Sequence, residues 1–301
     1  MKLAHLILAH NNPKQLERLV RRLTDDNTDI FIQLDEKTDW VLFEFLADID
    51  HVYFIEKRVP VYWGTFSIVQ ATLNGFEEIL AKNKHHEYSH INLLSAQDYP
   101  LKSPVEFRQF LSQHSDRTFI HALNIREEWT EAMDRVKKFN FGDYRFPGHY
   151  LVQYAADILF LRKKVPEQLV PHGRSQWFTI TPECAKYVID YLNNHDNVKR
   201  YFRMSFAPDE FFFQTILMNS PLKDKVINDN LRYIDFSMGG THPKVLTVKD
   251  ADRMINSKNF FARKFNQETD GIVLNYLDWL IDAKHEQDMS QYKRIRQIFS
   301  V

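Results

Sequence analysis

Apolar residues follow two rhythms along the first third of the chain. Lys2 to Ala9 is a short β-prone run, and Asp29 to Leu34, His51 to Ile55 and His90 to Leu94 repeat the pattern. Between them the spacing becomes that of a helix face. Leu16, Leu19, Val20 and Leu23 follow Pro13, a residue suited to a first helical turn. Ile68, Val69, Leu73, Phe76, Ile79 and Leu80 do the same within Ser67 to Leu80. Short alternation of strand and helix argues for an α/β fold with a parallel sheet flanked by helices. Polar residues stand directly after several strands, at His10, at Asp35 and at Ser95 to Asp98, where open α/β sheets hold their ligands.

Beyond this third the pattern weakens and then returns. Phe119 to Lys164 reads as irregular and rich in aromatic and charged residues, an inserted region expected to cover an acceptor cleft. Order resumes at Gln176 to Ile180, in a helix from Pro182 to Leu192, and at Asp209 to Leu217. Asp270 to Ile298 reads as amphipathic helix. Repeats, low-complexity stretches and Gly/Ser linkers are missing, so the 301 residues are expected to form a single domain.

Composition narrows the function classes. Net charge is -1, from 39 basic and 40 acidic residues, so no global field draws the chain to nucleic acid. The one cysteine, Cys184, excludes an intrachain disulfide and is expected to be a small buried apolar residue. MKLAHLILAH is too short to span a bilayer and lacks the parts of a signal peptide, which predicts a cytoplasmic protein or one at the inner face of a membrane. The basic runs Lys137-Lys138 and Arg162-Lys163-Lys164 read first as solvated faces, with peripheral membrane contact as the lesser alternative. Phosphate-loop, dinucleotide and HExxH signatures do not occur. Asp48-Ile49-Asp50 is a lone DxD placed before a strand, better suited to a solvated helix end than to a metal.

Greater specificity lies in INLLSAQDYPLKS (Ile91 to Ser103), SQWFTIT (Ser175 to Thr181), APDEFFFQTIL (Ala207 to Leu217) and FFARKF (Phe260 to Phe265). With ILAHNNPKQLERLVRRL, QLDEKTD, WGTFSIVQATL and DNLRYIDFS they lie in the order and spacing of glycosyltransferase family 14, which the chain resembles from about Leu3 to Phe265. That family comprises core-2/I-branching N-acetylglucosaminyltransferases and peptide O-xylosyltransferases. The resemblance implies a GT-A-type, Rossmann-like mixed sheet flanked by helices. Residues 1–118 would be the nucleotide-binding half, 119–265 the acceptor-binding and catalytic half, and 266–301 a C-terminal helical segment. It also implies metal-independent, inverting transfer of N-acetylglucosamine or xylose from a UDP-sugar, with no cofactor, to a glycan, lipid-linked or protein acceptor.

Roles follow residue by residue. Glu210 in the PDE segment corresponds to the general base, with Asp209 beside it as near rival or substrate contact; Phe211 to Phe213 are expected to desolvate the Glu210 carboxylate. Arg263 and Lys264 match the pair that neutralises the leaving diphosphate. A second upstream cation is left open among Arg232, His242 and Lys244. His10 and Asp35 correspond to nucleoside contacts and Asp98 to a position near the donor sugar. Ser175, Gln176 and Trp177 are expected against the acceptor, and Trp63-Gly64 to shape a loop. A non-catalytic nucleotide-sugar or carbohydrate binder and a glycoside hydrolase remain the rival classes; the hydrolase needs Asp98 and Glu210 to flank an open cleft.

Overall fold

The structure is a computed structural model that describes residues 1–83, 87–144, 146–240 and 242–285. In chain order the strands are β1 (Lys2–Ala9), β2 (Thr28–Leu34), β3 (Val52–Phe54), β4 (Tyr88–Ser95), β5 (Asp98–Pro100), β6 (Thr118–Asn124), β7 (His172–Ile180), β8 (Val226–Ile227), β9 (Arg232–Ile234) and β10 (Phe261–Arg263). The helices are α1 (Pro13–Leu23), α2 (Ser67–Lys82), α3 (Pro104–Ser112), α4 (Met133–Lys137), α5 (His149–Ile158), α6 (Pro182–Asn194), α7 (Asp196–Arg203), α8 (Phe212–Met218), α9 (Ala251–Ile255) and α10 (Gly271–His285).

The main sheet has seven strands in the order β3-β2-β1-β4-β7-β6-β8. Strands β3, β2, β1 and β4 are parallel, as their spacing predicts, and β7 runs antiparallel to both β4 and β6. Side chains of β1 point alternately to the two faces, and both are buried. Leu3, Ile7 and Ala9 join one core with α1, α3, α9 and α10, while Ala4 and Leu6 join the other with α2, α6, α7 and α8. Cys184 is buried on α6, as expected.

Several expectations need correction. The stretch taken as irregular from Phe119 contains most of β6, a member of the main sheet, together with α4 and α5. FFARKF, to which the sequence assigned no element, supplies a strand, β10, with Phe260, Phe261 and Phe265 buried around it. Lys163 is buried rather than solvated; its ammonium donates to the Met204 carbonyl at 2.8 Å and to Ser205, and burial pushes its pKa down to about 7. Arg162, Lys164, Lys137 and Lys138 do lie exposed. The expected C-terminal helix is present through α10; its remainder, to Ile298, lies outside the described residues. Among the described residues no helix is long and apolar enough to cross a membrane.

A second sheet positions the site. Its order is β5-β10-β9, with Arg263 opposite Asp98 on one side and Ile234 on the other. Arg232, from β9, enters the main sheet where β4 and β7 part. Their ladder pairs Ile91 with Ile180 and Asn92 with Thr179. The Arg232 guanidinium donates to the Leu93 and Phe178 carbonyls, each at 2.9 Å, and to Thr179 and Asn92. It thus supplies donors to carbonyls at the divergence, which a buried sheet cannot leave open. Burial pushes its pKa down to about 9.

Candidate active site

Two adjoining clefts open above these sheets. The first, about 520 Å³, lies over the C-terminal ends of β1, β2 and β4 and is lined by His10, Gln33, Asp35, Lys37, Ser95 and Lys264, among others. The second, about 490 Å³, runs beside the 3-10 turn Pro208–Glu210 and is lined by Asp209, Glu210, His121, Arg174, Ser175 and Asp229, among others. Trp63, Gln176, Trp177, His242 and Arg263 line both, so the clefts share a wall.

The turn carrying the two carboxylates is held by close backbone packing. A Cβ on Gly173 of β7 would lie 2.5 Å from the Phe211 Cβ and 2.6 Å from the Glu210 carbonyl oxygen. Glycine at this position therefore lets the turn seat on the strand. On the other side, Gly64 has φ +73° and accepts the Ala207 N–H at 2.8 Å, where a Cβ would meet the Phe206 ring at 2.7 Å. The expected loop-shaping role of Trp63-Gly64 has this physical basis.

Glu210 and Asp209 leave the turn in different settings. Phe211, Phe212 and Phe213 turn into the core, so the expected apolar surround of the Glu210 carboxylate is absent; the carboxylate instead pairs with Arg135. Arg135 comes from α4, lies over the Trp129 and Phe206 rings, and is a contact the sequence reading missed. Asp209 is buried, and among the described residues its Oδ1 has no hydrogen-bond partner. Burial and the neighbouring Glu210 push its pKa up to about 7, against the pull of Arg135 and Arg263.

Arg263 forms the hinge of the shared wall. Its guanidinium stacks over Trp177 at 4.2 Å and its Nε lies 3.6 Å from Asp98 Oδ1. Burial lowers its pKa, while Asp98, Glu210 and Asp209 act to raise it. Asp98 lines neither cleft; it is buried behind Arg263, its Oδ2 accepting the Ser95 N–H at 3.0 Å, and burial pushes its pKa up. Its position is therefore that of a support for Arg263, and it does not flank a cleft as a hydrolase pair would.

The other expected residues divide. Lys264, Asp35 and His10 gather in the first cleft, where burial and the cations Lys264 and Lys37 lower the His10 pKa against the pull of Asp35. Asp35 is partly occupied: its Oδ1 caps the Lys37 N–H at 2.9 Å and its Oδ2 lies 3.2 Å from the Lys37 ammonium. Ser175 accepts from Asn230 at 3.0 Å, so its hydroxyl helps hold the wall it lines. Of the candidates for a further cation, Arg232 is engaged with the divergence of β4 and β7, Lys244 pairs with Asp250 at 2.6 Å, and His242 reaches both clefts, beside Trp63. Gln33, whose buried Oε1 has no partner among the described residues, also faces the first cleft. Its only sequence signal is a polar residue in an apolar strand. Asp48 and Asp50 are exposed and line neither cleft.

Known proteins similar in sequence to this chain include xylosyltransferases. Xylosyltransferase 2 of Canis lupus familiaris is 24% identical over 307 residues, covering 93% of this chain and 33% of the relative. Xylosyltransferase 1 of Rattus norvegicus is 24% identical over 311 residues, covering 92% and 35%. The chain thus spans about a third of the length of these curated relatives. Among solved structures, S. aureus TarS 1-349 aligns with a TM-score of 0.39 at 10% identity, over 93% of this chain and 64% of that one. So distant a structural likeness adds nothing to the topology already described. The pattern of the family described as Core-2/I-Branching enzyme matches residues 3–257, and on that match, over most of its length, the chain belongs to the core-2/I-branching enzyme family of glycosyltransferases.

Proposed function

We propose that this glycosyltransferase transfers a sugar from a UDP-sugar with inversion and without a metal. The observation that carries the reading is the shared wall. Arg263 stands between a cleft that holds Lys264 at the strand ends and a cleft that holds Glu210 beside the turn. The nucleoside sits in the first cleft near His10 and Asp35, and the acceptor in the second. Glu210 takes the proton of the acceptor hydroxyl as its oxygen bonds to the anomeric carbon. The bond from that carbon to the diphosphate breaks on the opposite face, and UDP leaves with the electron pair. Arg263 and Lys264 stabilise the charge it gathers, the part a divalent ion plays in other transferases. Asp209, neutral over much of the range below pH 7, offers a buried donor or acceptor to the acceptor sugar. The names of the relatives point to UDP-xylose as the donor to test first, with UDP-N-acetylglucosamine second.

The test is donor hydrolysis and transfer across a panel of UDP-sugars, with and without a chelator. Turnover of one UDP-sugar that survives chelation is the expected result, and Glu210→Gln should lower it roughly 10²- to 10⁴-fold with UDP affinity retained. Activity lost on chelation and restored by manganese would overturn the metal-free reading. The Arg135–Glu210 pair favours one rival, a nucleotide-sugar binder whose carboxylate is tied up. UDP-sugar binding with no turnover, unchanged by Glu210→Gln, would establish that rival.

A further inference from the structure

Helix α5 is oriented against the usual rule for a helix facing water. Among its residues only Ala156 is buried. Its polar Gln153 turns toward the protein, accepting the Phe141 N–H at 3.0 Å and donating to the Phe139 carbonyl at 3.1 Å. The apolar residues occupy the outward side, with Tyr150 78%, Leu151 72%, Tyr154 66% and Ile158 53% exposed. These positions share one stripe of a helix. The stripe continues beyond the helix end in Leu159 and Phe160, 67% and 74% exposed. A surface helix normally buries such a stripe, and a contiguous apolar patch of this kind marks an interaction surface.

Charge beside the stripe selects the partner. Exposed Lys137, Lys138, Arg162 and Lys164 lie together, because Lys138 and Arg162 form an antiparallel bridge and the Lys163 N–H donates to the Lys137 carbonyl at 2.8 Å. Asp134 offsets one of them through its pair with Lys138, and the exposed Asp157 of α5, held by Gln153, offsets another, leaving the cations in excess. Apolar and aromatic side chains flanked by cations suit the headgroup region of an anionic bilayer. A second copy of the chain docked through the same patch would set these cations against their own kind. The patch also communicates with the site. A groove of about 460 Å³, lined among others by Phe160, Arg162, Asp134, Asp157, Phe206 and Arg135, leads to the guanidinium that faces Glu210.

We propose that the outward face of residues 146–161 docks on an anionic lipid surface, and that the acceptor reaches Glu210 along this groove as the head of a lipid-anchored molecule. The acceptor half rests on the transferase reading; the docking half does not. The test is co-sedimentation of the full chain with phosphatidylcholine vesicles and with vesicles that also contain phosphatidylglycerol. Binding to the anionic vesicles alone, weakening as salt rises, is expected. Leu151→Glu with Leu159→Glu should abolish it while circular dichroism and UDP-sugar hydrolysis stay unchanged. Lys137→Gln and Lys164→Gln should each weaken it roughly fivefold. Failure to sediment with either vesicle overturns the proposal, as does equal binding by the double glutamate variant. A lipid-independent dimer in light scattering that the same variant dissociates also overturns it, in favour of a second copy as partner. Vesicle binding without UDP-sugar turnover would support docking while removing the transferase reading.

Discussion

Two neighbouring carboxylates, Asp209 and Glu210, leave one turn into different surroundings, Asp209 buried and Glu210 paired with Arg135. The Asp209 pKa stands at about 7 against an ordinary 3.8, so between these values the folded chain binds more protons than the unfolded one. Stability from this group therefore falls as pH rises across that window. Asp209→Asn should be more stable than the parent by an amount that grows from about pH 4 to about pH 7, reaching on the order of a few kcal/mol. Urea unfolding across that range checks it; a gap that does not change with pH would sink the assignment. Gly173 gives a second prediction. A methyl group there meets the Glu210 carbonyl and the Phe211 Cβ, so Gly173→Ala should cost about 1–3 kcal/mol of stability. Displacing the turn should also lower kcat on the order of 10²-fold, read in the hydrolysis assay. The sequence exposed both carboxylates, because they lie in a compact motif. It did not expose Arg135, 75 residues from Glu210, or the backbone contact that requires Gly173, since neither leaves a local pattern.

At the scale of elements, legibility followed length. Strands β1, β2 and β4 and helices α1, α2 and α6 carry apolar runs long enough to show their period, and their observed bounds depart from expectation by a residue or two. The β5-β10-β9 sheet was not legible. Each of its strands has three residues, and its pairing joins segments far apart in the chain. Yet this sheet pairs the FFARKF strand with β5 and so sets Arg263 against Asp98. The two cations of that segment should consequently respond differently. Arg263→Ala strands the buried Asp98 carboxyl and should cost about 3–5 kcal/mol in addition to UDP affinity. Lys264→Ala touches a half-exposed residue and should change stability by about 0.5 kcal/mol or less while weakening UDP binding. Paired denaturation and UDP titration of the two variants separate these roles; equal stability losses would contradict the placement of Arg263.

For the molecule as a whole, the last described helix closes the chain onto its beginning. Asp278 of α10 accepts from Arg18 at 2.6 Å, from Arg22 at 2.7 Å and from the Tyr99 hydroxyl at 2.6 Å, joining α1, β5 and α10 at one carboxylate. Asp278→Ala leaves these donors short of an acceptor and should cost roughly 1–3 kcal/mol. Thermal unfolding measures the loss, and an unchanged midpoint would show that the network contributes nothing. The sequence predicted a C-terminal amphipathic helix, but its target could not be read from it, because the contacts span some 260 positions. The wall common to the two clefts has a consequence for ligand design. Since Trp177 and Arg263 belong to both cavities, a single molecule could occupy both at once across a very short tether. A uridine nucleotide joined to an acceptor mimic would then meet its second subsite at high effective concentration. Such a conjugate should bind roughly 10²- to 10⁴-fold more tightly than either fragment, with a tether that reaches across one indole ring being long enough.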